Sequence, residues 1–325
     1  MKNIVVGLLA GIFFFSSCDN EVDINAPWRE TPVVFAILDL NEDTQVFRIQ
    51  KTYQNGLNQT SSEVAQVADS LYLKNISVQL INNNIKDTVS FAKSAPQKLP
   101  GFFSNKDSSY WSLALSKAFL NKSSTYTLLI TNKETGKTYR AVSNIVDTAI
   151  INRAPTYNPI TIDLANVSNA RFGIYVENTG NNAAIVDVLL RLNYTEAPAA
   201  NPSQTALKSL DYIVIQSTSN TGQGVVASAS VGKENYRDFI KNSFKTDASI
   251  VRKFVSVEIV VVAANSDYAD MLQTNKPSGS IIPKVGQYSN VSDAIGIFGS
   301  RTITTKAQVM NNASIDLINN SLLNP

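Results

Sequence analysis

Histidine is missing from this 325-residue chain and cysteine occurs once. Histidine is the side chain that titrates near neutral pH and the commonest ligand of transition metals. The single cysteine, Cys18, allows neither an intramolecular disulfide nor a cysteine-cluster zinc site. Four other patterns have spacings that suit chemistry. Ser90-Phe-Ala-Lys93 has the Ser-x-x-Lys spacing of an activated serine, but it lies in a strand-like run rather than at a helix start. Gly222-Gln-Gly224-Val-Val-Ala227 has a dinucleotide-type glycine spacing, which works only where a helix follows to hold pyrophosphate at its N-terminus. Here VVASASV follows and alternates like a strand, so the glycines read as a hairpin turn. Asp39-Leu-Asn41-Glu-Asp43 begins like a calcium loop, yet Thr44 and Gln50 stand at the positions that need Gly and Glu. Asp267 and Asp270 share a helix face at i, i+3 and are the one carboxylate pair that spacing brings forward for a hydrolase. Exposed acids ordinarily serve solubility, and nothing selects this pair. The chain therefore reads as non-enzymatic, with no catalytic residue, no cofactor and no metal site.

Cys18 has a context of its own. Lys2 is followed by a 12-residue apolar run, Ile4–Phe15, too short to span a bilayer as a helix and suited to an export signal. Ser16-Ser17-Cys18 then resembles the lipobox of bacterial lipoproteins, with Phe15 where Leu is usual and Ser17 where Gly or Ala is usual. The resemblance implies cleavage before Cys18 and lipid on its sulfur and amino group, which anchors by burying acyl chains at about 0.8 kcal/mol per methylene. Asp19, Glu21 and Asp23 follow at once, and such an acidic cluster resembles the signal that sends Bacteroidota lipoproteins to the outer face of the outer membrane. Residues 1–17 are thus expected to be the signal peptide and 18–32 an acidic tether.

The elements beyond the tether read as mostly β. Alternating or β-branched runs occur at 33–40, 44–51, 71–81, 86–92, 110–116 and 125–131, with a turn at Asn41-Glu-Asp43, and TNKETGKTYRAVS (131–143) places Gly136 in a turn between alternating strands. Short strands divided by turns predict a sandwich over 33–150, of immunoglobulin-like type. RAPTYNP places a linker at 151–159. A second β-rich domain, 160–325, has runs at 160–164, 170–178, 183–194, 210–217, 224–231 and 254–264, with 196–206 as a polar loop. Helices are few. Tyr236, Phe239, Ile240 and Phe244 recur at helical spacing over 233–245, and 267–273 reads as a shorter helix capped by Ser266. The fold class expected is mainly β with one or two short helices. A formal net charge of +2 gives no electrostatic reason for a nucleic-acid partner.

Together these features resemble a Bacteroidota outer-membrane lipoprotein family of unknown function, often encoded beside TonB-dependent receptors. The resemblance lies in "EVDI" (21–24), "VVFAILD" (33–39), "YTLLITNKETGKTYRAVSNI" (126–145) and "VEIVVVAANSDYADMLQT" (257–274). It closes on "YSNVSDAIGIFGS" (288–300), where Asn290, Gly296, Phe298 and Gly299 fill the pattern Asn-x-x-x-x-x-Gly-x-Phe-Gly. The family more often has a further glycine where this chain has Asp293 or Ala294. The resemblance implies location and company rather than chemistry.

The function expected is a lipid-anchored accessory subunit of an outer-membrane β-barrel complex, a TonB-dependent transporter first, with an insertion or secretion machine as a variant. The alternative is a glycan- or nutrient-binding surface lipoprotein. Contact candidates are aromatic: Phe102 and Phe103 after Pro100-Gly101, and Tyr288, with Trp28 and Tyr110 beside them and Trp111 assigned to the core. Ser70, Thr88 and Thr148 lie in Asp-Ser/Thr-aliphatic triplets that resemble O-glycosylation acceptors of exported Bacteroidota proteins.

Overall fold

The computed structural model describes residues 29–53, 60–94, 110–116, 118–151, 161–166, 170–177, 179–219, 227–275 and 288–325. The fold is mainly β. Strand β1 (Pro32–Leu38) turns back into β2 (Thr44–Lys51). The buried side chain of Gln45 closes that turn, accepting from Asp39 N (2.9 Å) and donating to the carbonyls of Asp39 (2.8 Å) and Glu42 (2.7 Å). Two short helices follow. α1 (Ser61–Ala65) starts at Thr60, whose hydroxyl accepts from Glu63 N while the Glu63 carboxylate accepts from Thr60 N, a reciprocal capping box. α2 (Ala68–Leu71) occupies the start of the run expected as a strand at 71–81, and β3 begins only at Ile76 (Ile76–Asn82). β4 (Asp87–Ser94), β5 (Tyr110–Ala114), β6 (Thr125–Asn132) and β7 (Thr138–Asn144) complete the first half, with Gly136 at φ +69° in the β6–β7 turn.

The second half contains β8 (Thr161–Ile162), β9 (Arg171–Val176), β10 (Ile185–Pro198), β11 (Ala206–Ser219) and β12 (Ala227–Gly232). Then come α3 (Lys233–Asn242), β13 (Ile250–Ala264), α4 (Ser266–Thr274), β14 (Ile295–Met310) and α5 (Asn312–Leu317), which runs into a π-helical turn, Ile318–Leu322. β10 and β11 extend into the loop expected at 196–206, which narrows to 199–205. The run expected at 160–164 keeps two strand residues. The N-cap of α4 is Asn265 rather than Ser266, its side chain accepting from Tyr268 N.

The strands form one sheet in the order β11-β10-β13-β14-β1-β2-β5-β4-β3-β6-β7, with β8 beside β14, and β12 pairs with β9 separately. The first half folds over at β5. Phe47 on β2 and Phe91 on β4 stack at 4.4 Å although β5 lies between their strands in hydrogen-bonding order, so the sheet doubles into two layers. Between the layers lie Val34, Leu38, Phe47, Val78, Leu80, Tyr126, Leu128 and Ile130. A second core collects Val188, Leu190, Leu192, Val257, Val261, Tyr236 and Ile240, so α3 lies on the sheet by the face its spacing marked. Each such buried side chain contributes roughly 1.5–3 kcal/mol by leaving water.

Thr31–Pro325 is one compact unit, and β14 explains why. Its first residues pair in parallel with β1 (Val33 with Ile295 through Leu38 with Ser300), and its later ones pair antiparallel with β13 (Ala264 with Arg301 through Val257 with Gln308). The first core accordingly includes Val291 and Phe298, and the second includes Val146, Ala149 and Ile151. Alternate side chains of β14 also lace the segment after β7. Ser300 Oγ donates to Asn144 O (2.9 Å), Thr302 Oγ1 to Asp147 O (3.2 Å) and Lys306 Nζ to Ile151 O (2.6 Å), while Thr304 Oγ1 accepts from Ala149 N (3.1 Å). A period of two places all four on one face. Residues 152–159 of the linker expected at 151–159 lie outside the described residues. At the chain's end, the Arg252 guanidinium lies 4.8 Å over the Phe244 ring and bonds Glu196 (3.0 Å) and Leu323 O (3.1 Å), which pins the C-terminus to β13.

Candidate functional site

Asn290, Gly296, Phe298 and Gly299 converge where β14 enters the sheet beside β1. The side-chain amide of Asn290 substitutes for a neighbouring strand: its Oδ1 accepts from Phe298 N (2.9 Å) and its Nδ2 donates to Phe298 O (2.7 Å). Phe298 is fully buried and meets Phe47 edge-on at 6.3 Å. Gly296, at φ +119°, faces Val34 so closely that a methyl group would overlap its carbonyl oxygen. A Cβ on Gly299 would stand 3.1 Å from Asn265 Oδ1. Asp293 adopts φ +52°, a left-handed conformation that glycine prefers and Asp tolerates. Each of these positions does structural work at the joint of β1 and β14.

Beside this joint lies a buried polar cluster drawn from β7, α4, β14 and Tyr288. Asn265 is fully buried at the turn from β13 into α4. Its Oδ1 accepts from Tyr268 N and Ser300 N, each at 3.2 Å. Its Nδ2 lies 2.7 Å from Ser143 Oγ, 3.1 Å from Asp267 Oδ2 and 3.2 Å from Asn144 Oδ1. Asp267 also accepts from Ser143 Oγ (2.6 Å) and from the Tyr288 hydroxyl (3.3 Å). Burial first, and then the negative charge of Asp267, push the Tyr288 hydroxyl up to about 12. Tyr288, expected as a contact aromatic, is thus tied into this cluster. A carboxylate held by an amide, a hydroxyl and a phenol is stabilised where it is. The arrangement locks α4 onto two strands.

The other patterns separate in the same way. Asp267 turns into the cluster, while Asp270 is exposed, its charge still felt at the Tyr288 hydroxyl. Ser90 and Lys93 both lie on β4, and their odd spacing on a strand directs them to opposite faces. Asp39 Oδ1 accepts from Asn41 N (2.9 Å), Gln45 fills the turn, and burial raises the Asp39 carboxyl above its ordinary range. Among the described residues, no three or more of His, Cys, Asp and Glu group closely enough to hold a metal ion. Cys18, Asp19, Glu21, Asp23, Trp28, Phe102, Phe103, Gly222 and Gly224 lie outside the described residues. Trp111 is half-buried against the first core, and the Tyr110 ring lies 6.0 Å from the Arg48 guanidinium. Ser70 is half-buried in α2, Thr88 is exposed on β4, and Thr148 is half-buried beside Asp147. These three do not share a surface element.

A cleft of about 880 Å³ opens at the tip of the β10–β11 hairpin, lined by Pro198, Ala200, Ala206, Ile250 and the Glu196–Lys208 ion pair. No aromatic side chain lines it, which leaves a sugar without a stacking platform. The two ends of the sheet differ. At β7 the edge is covered, because Ser292 N donates to Arg140 O (2.8 Å) and Ser292 Oγ accepts from Arg140 N (2.9 Å), filling the place of a partner strand. At β11 the pairing stops with β10. Ser292 carried no signal in the sequence, and Asn265 none beyond a capping type, since their roles arise from neighbours distant in the chain. Among the described residues no helix is long and apolar enough to cross a membrane. Comparison with protein-family models and with curated protein sequences returns no match for the chain.

Proposed function

We propose that the chain is a lipid-anchored cell-surface protein and a non-enzymatic accessory subunit of an outer-membrane barrel complex, a TonB-dependent transporter in the first instance. One observation carries this reading. The first strand of the described fold begins at Pro32, fourteen positions after Cys18, so the signal, Cys18 and the acidic cluster precede the β body, which takes up the end of the expected 18–32 tether at Thr31 and Pro32. Thirteen intervening residues reach at most about 45 Å when extended. Lipid on Cys18 then confines the β body to a thin layer above the membrane, which raises its effective concentration beside a barrel's external loops. Asp19, Glu21 and Asp23 direct it to that outer face. The polar clusters fit this role because they rigidify the β body instead of presenting reactive groups.

The test is gentle detergent extraction from native membranes with a C-terminal affinity tag, followed by mass spectrometry. A barrel recovered in stoichiometric amount supports the proposal and names the machine. A lipoprotein that stays alone after crosslinking overturns it. Cys18→Ser should move the chain out of the membrane fraction, and retention there would remove the anchor from the reading.

A further inference from the structure

We propose that β11 docks a second copy of this chain, the two strands pairing antiparallel through Leu207–Ile213 about a two-fold axis at Leu210. β11 is a long terminal strand, 14 residues, at the one end of the main sheet that no neighbouring loop residue covers among the described contacts. Natural edges are commonly protected by charge, bulges or covering segments. Here the edge charges are drawn back into the strand's own sheet. Asp211 takes both donors of Arg191 on β10 (2.7 and 2.8 Å), and Lys208 pairs with Glu196 on β10. On one face of the strand Leu207 is 70% exposed and Ile213 52% exposed, with Ser209 and Asp211 exposed between them.

A self-paired edge must satisfy a strict rule. A two-fold axis perpendicular to a sheet keeps each residue on its own face, so opposed residues are of equal parity and their numbers share one even sum. Centring on Leu210 sets Leu207 opposite Ile213 of the second copy, and Ile213 opposite its Leu207. Ser209 then meets Asp211, and Lys208 meets Tyr212, with no like charges opposed. The neighbouring solutions fail. Centring on Asp211 sets two carboxylates face to face, and centring on Lys208 does the same for two ammonium groups. Centring on Ser209 or Tyr212 leaves Leu207 and Ile213 unmatched. The favoured register also lies wholly within the regular part of β11. Its pairing with β10 runs without a shift from Ala206 to Ile213, and the irregularity begins only beyond it. Like-to-like addition at an edge combines main-chain hydrogen bonds with side-chain pairs on each face.

The full chain in detergent should sediment as a dimer, and Ile213→Lys should weaken the dimer by about tenfold or more while the exposed site leaves the thermal melt unchanged. In native membranes, a photoreactive benzoylphenylalanine at position 207 should yield an adduct of twice the chain mass, linked near residue 213. A monomer at every concentration, a dimer indifferent to Ile213→Lys, a 207–207 link, or an adduct with a different protein would each overturn the proposal.

Discussion

Gly296 lies against Val34 so tightly that a Cβ on it would overlap the Val34 carbonyl oxygen and stand 2.9 Å from the carbonyl carbon. The two residues are register partners where β14 runs parallel to β1, which is the joint between the two halves of the sheet. Alanine at 296 faces two penalties at once, the overlap with backbone and a φ of +119° that side chains disfavour. Gly296→Ala should therefore lower stability by about 3 kcal/mol or more, read as an earlier urea midpoint. Gly136→Ala is the control, since it has a positive φ but open space around its Cβ position, and its loss should be about 1 kcal/mol. Equal losses at the two positions would show that conformation alone, and not the β1–β14 approach, sets the effect.

Asn265 is the residue on which the polar cluster depends, because it accepts from β14 and α4 while donating toward β7. Asn265→Ala should cost about 3 kcal/mol through the unpaired groups left around it. Asn265→Asp should be worse at neutral pH, since a second carboxylate would face Asp267 Oδ2, now 3.1 Å from the amide nitrogen. That charge raises the new group's pKa in the folded state, so stability returns as pH falls and the acid regains a proton to donate. Denaturation midpoints for both variants at neutral and mildly acidic pH check this, and an Asn265→Asp protein insensitive to pH would contradict it.

Strands whose burial alternates were legible in the sequence. TQVFRIQK gave Thr44–Lys51 with both boundaries in place, and the spacing of Tyr236 and Ile240 marked the buried face of α3. The length of β14 was not legible. Its outer part, RTITTKAQVM, is polar, and it is held by Ser300, Thr302, Thr304 and Lys306 bonding to the backbone of a segment more than 150 positions away. Asn265 and Ser266 are both good capping types, so local sequence could not choose between them. What decides is the second bond of Asn265 to Ser300 N. The pattern at Asn290–Gly299 was visible as a motif, but its meaning as a backbone joint depends on Val34 and Phe47. The place of β11 at an end of the sheet among the described residues follows from strand order, which no residue of that strand encodes.

The Tyr288 hydroxyl gives the alkaline limb of stability a defined source. Its folded-state value of about 12 lies above the ordinary 10.0, because burial and Asp267 both disfavour tyrosinate. A raised pKa contributes stability that is whole below pH 10 and lost as pH climbs through about 12. Tyr288→Phe should thus be less stable than the parent below pH 10, through the lost bond to Asp267. The difference should shrink between pH 10 and 12 as the parent is forced to ionise. Chemical denaturation across that range, with tyrosinate absorbance followed in parallel, reads both quantities. A constant difference would show that the hydroxyl contributes nothing through Asp267.

Tyr236 presents the opposite case, a phenol whose oxygen lacks a bond among the described residues. It is fully buried on α3, edge-on to Phe172 (6.3 Å) and Tyr212 (5.3 Å), and its hydroxyl has no hydrogen-bond partner among the described residues. Burial pushes its pKa upward, as expected for a group that has given up water without replacement. The ring contributes apolar area and edge-on contacts that phenylalanine would keep, while the oxygen contributes an uncompensated desolvation penalty. Tyr236→Phe should therefore raise stability by about 1 kcal/mol, whereas Tyr236→Ala should lower it by about 3–5 kcal/mol through the cavity left in the second core. Paired urea titrations distinguish the two effects. If Tyr236→Phe lowers stability instead, the hydroxyl has a partner in solution, such as a buried water, and the second core is more polar than its side chains indicate.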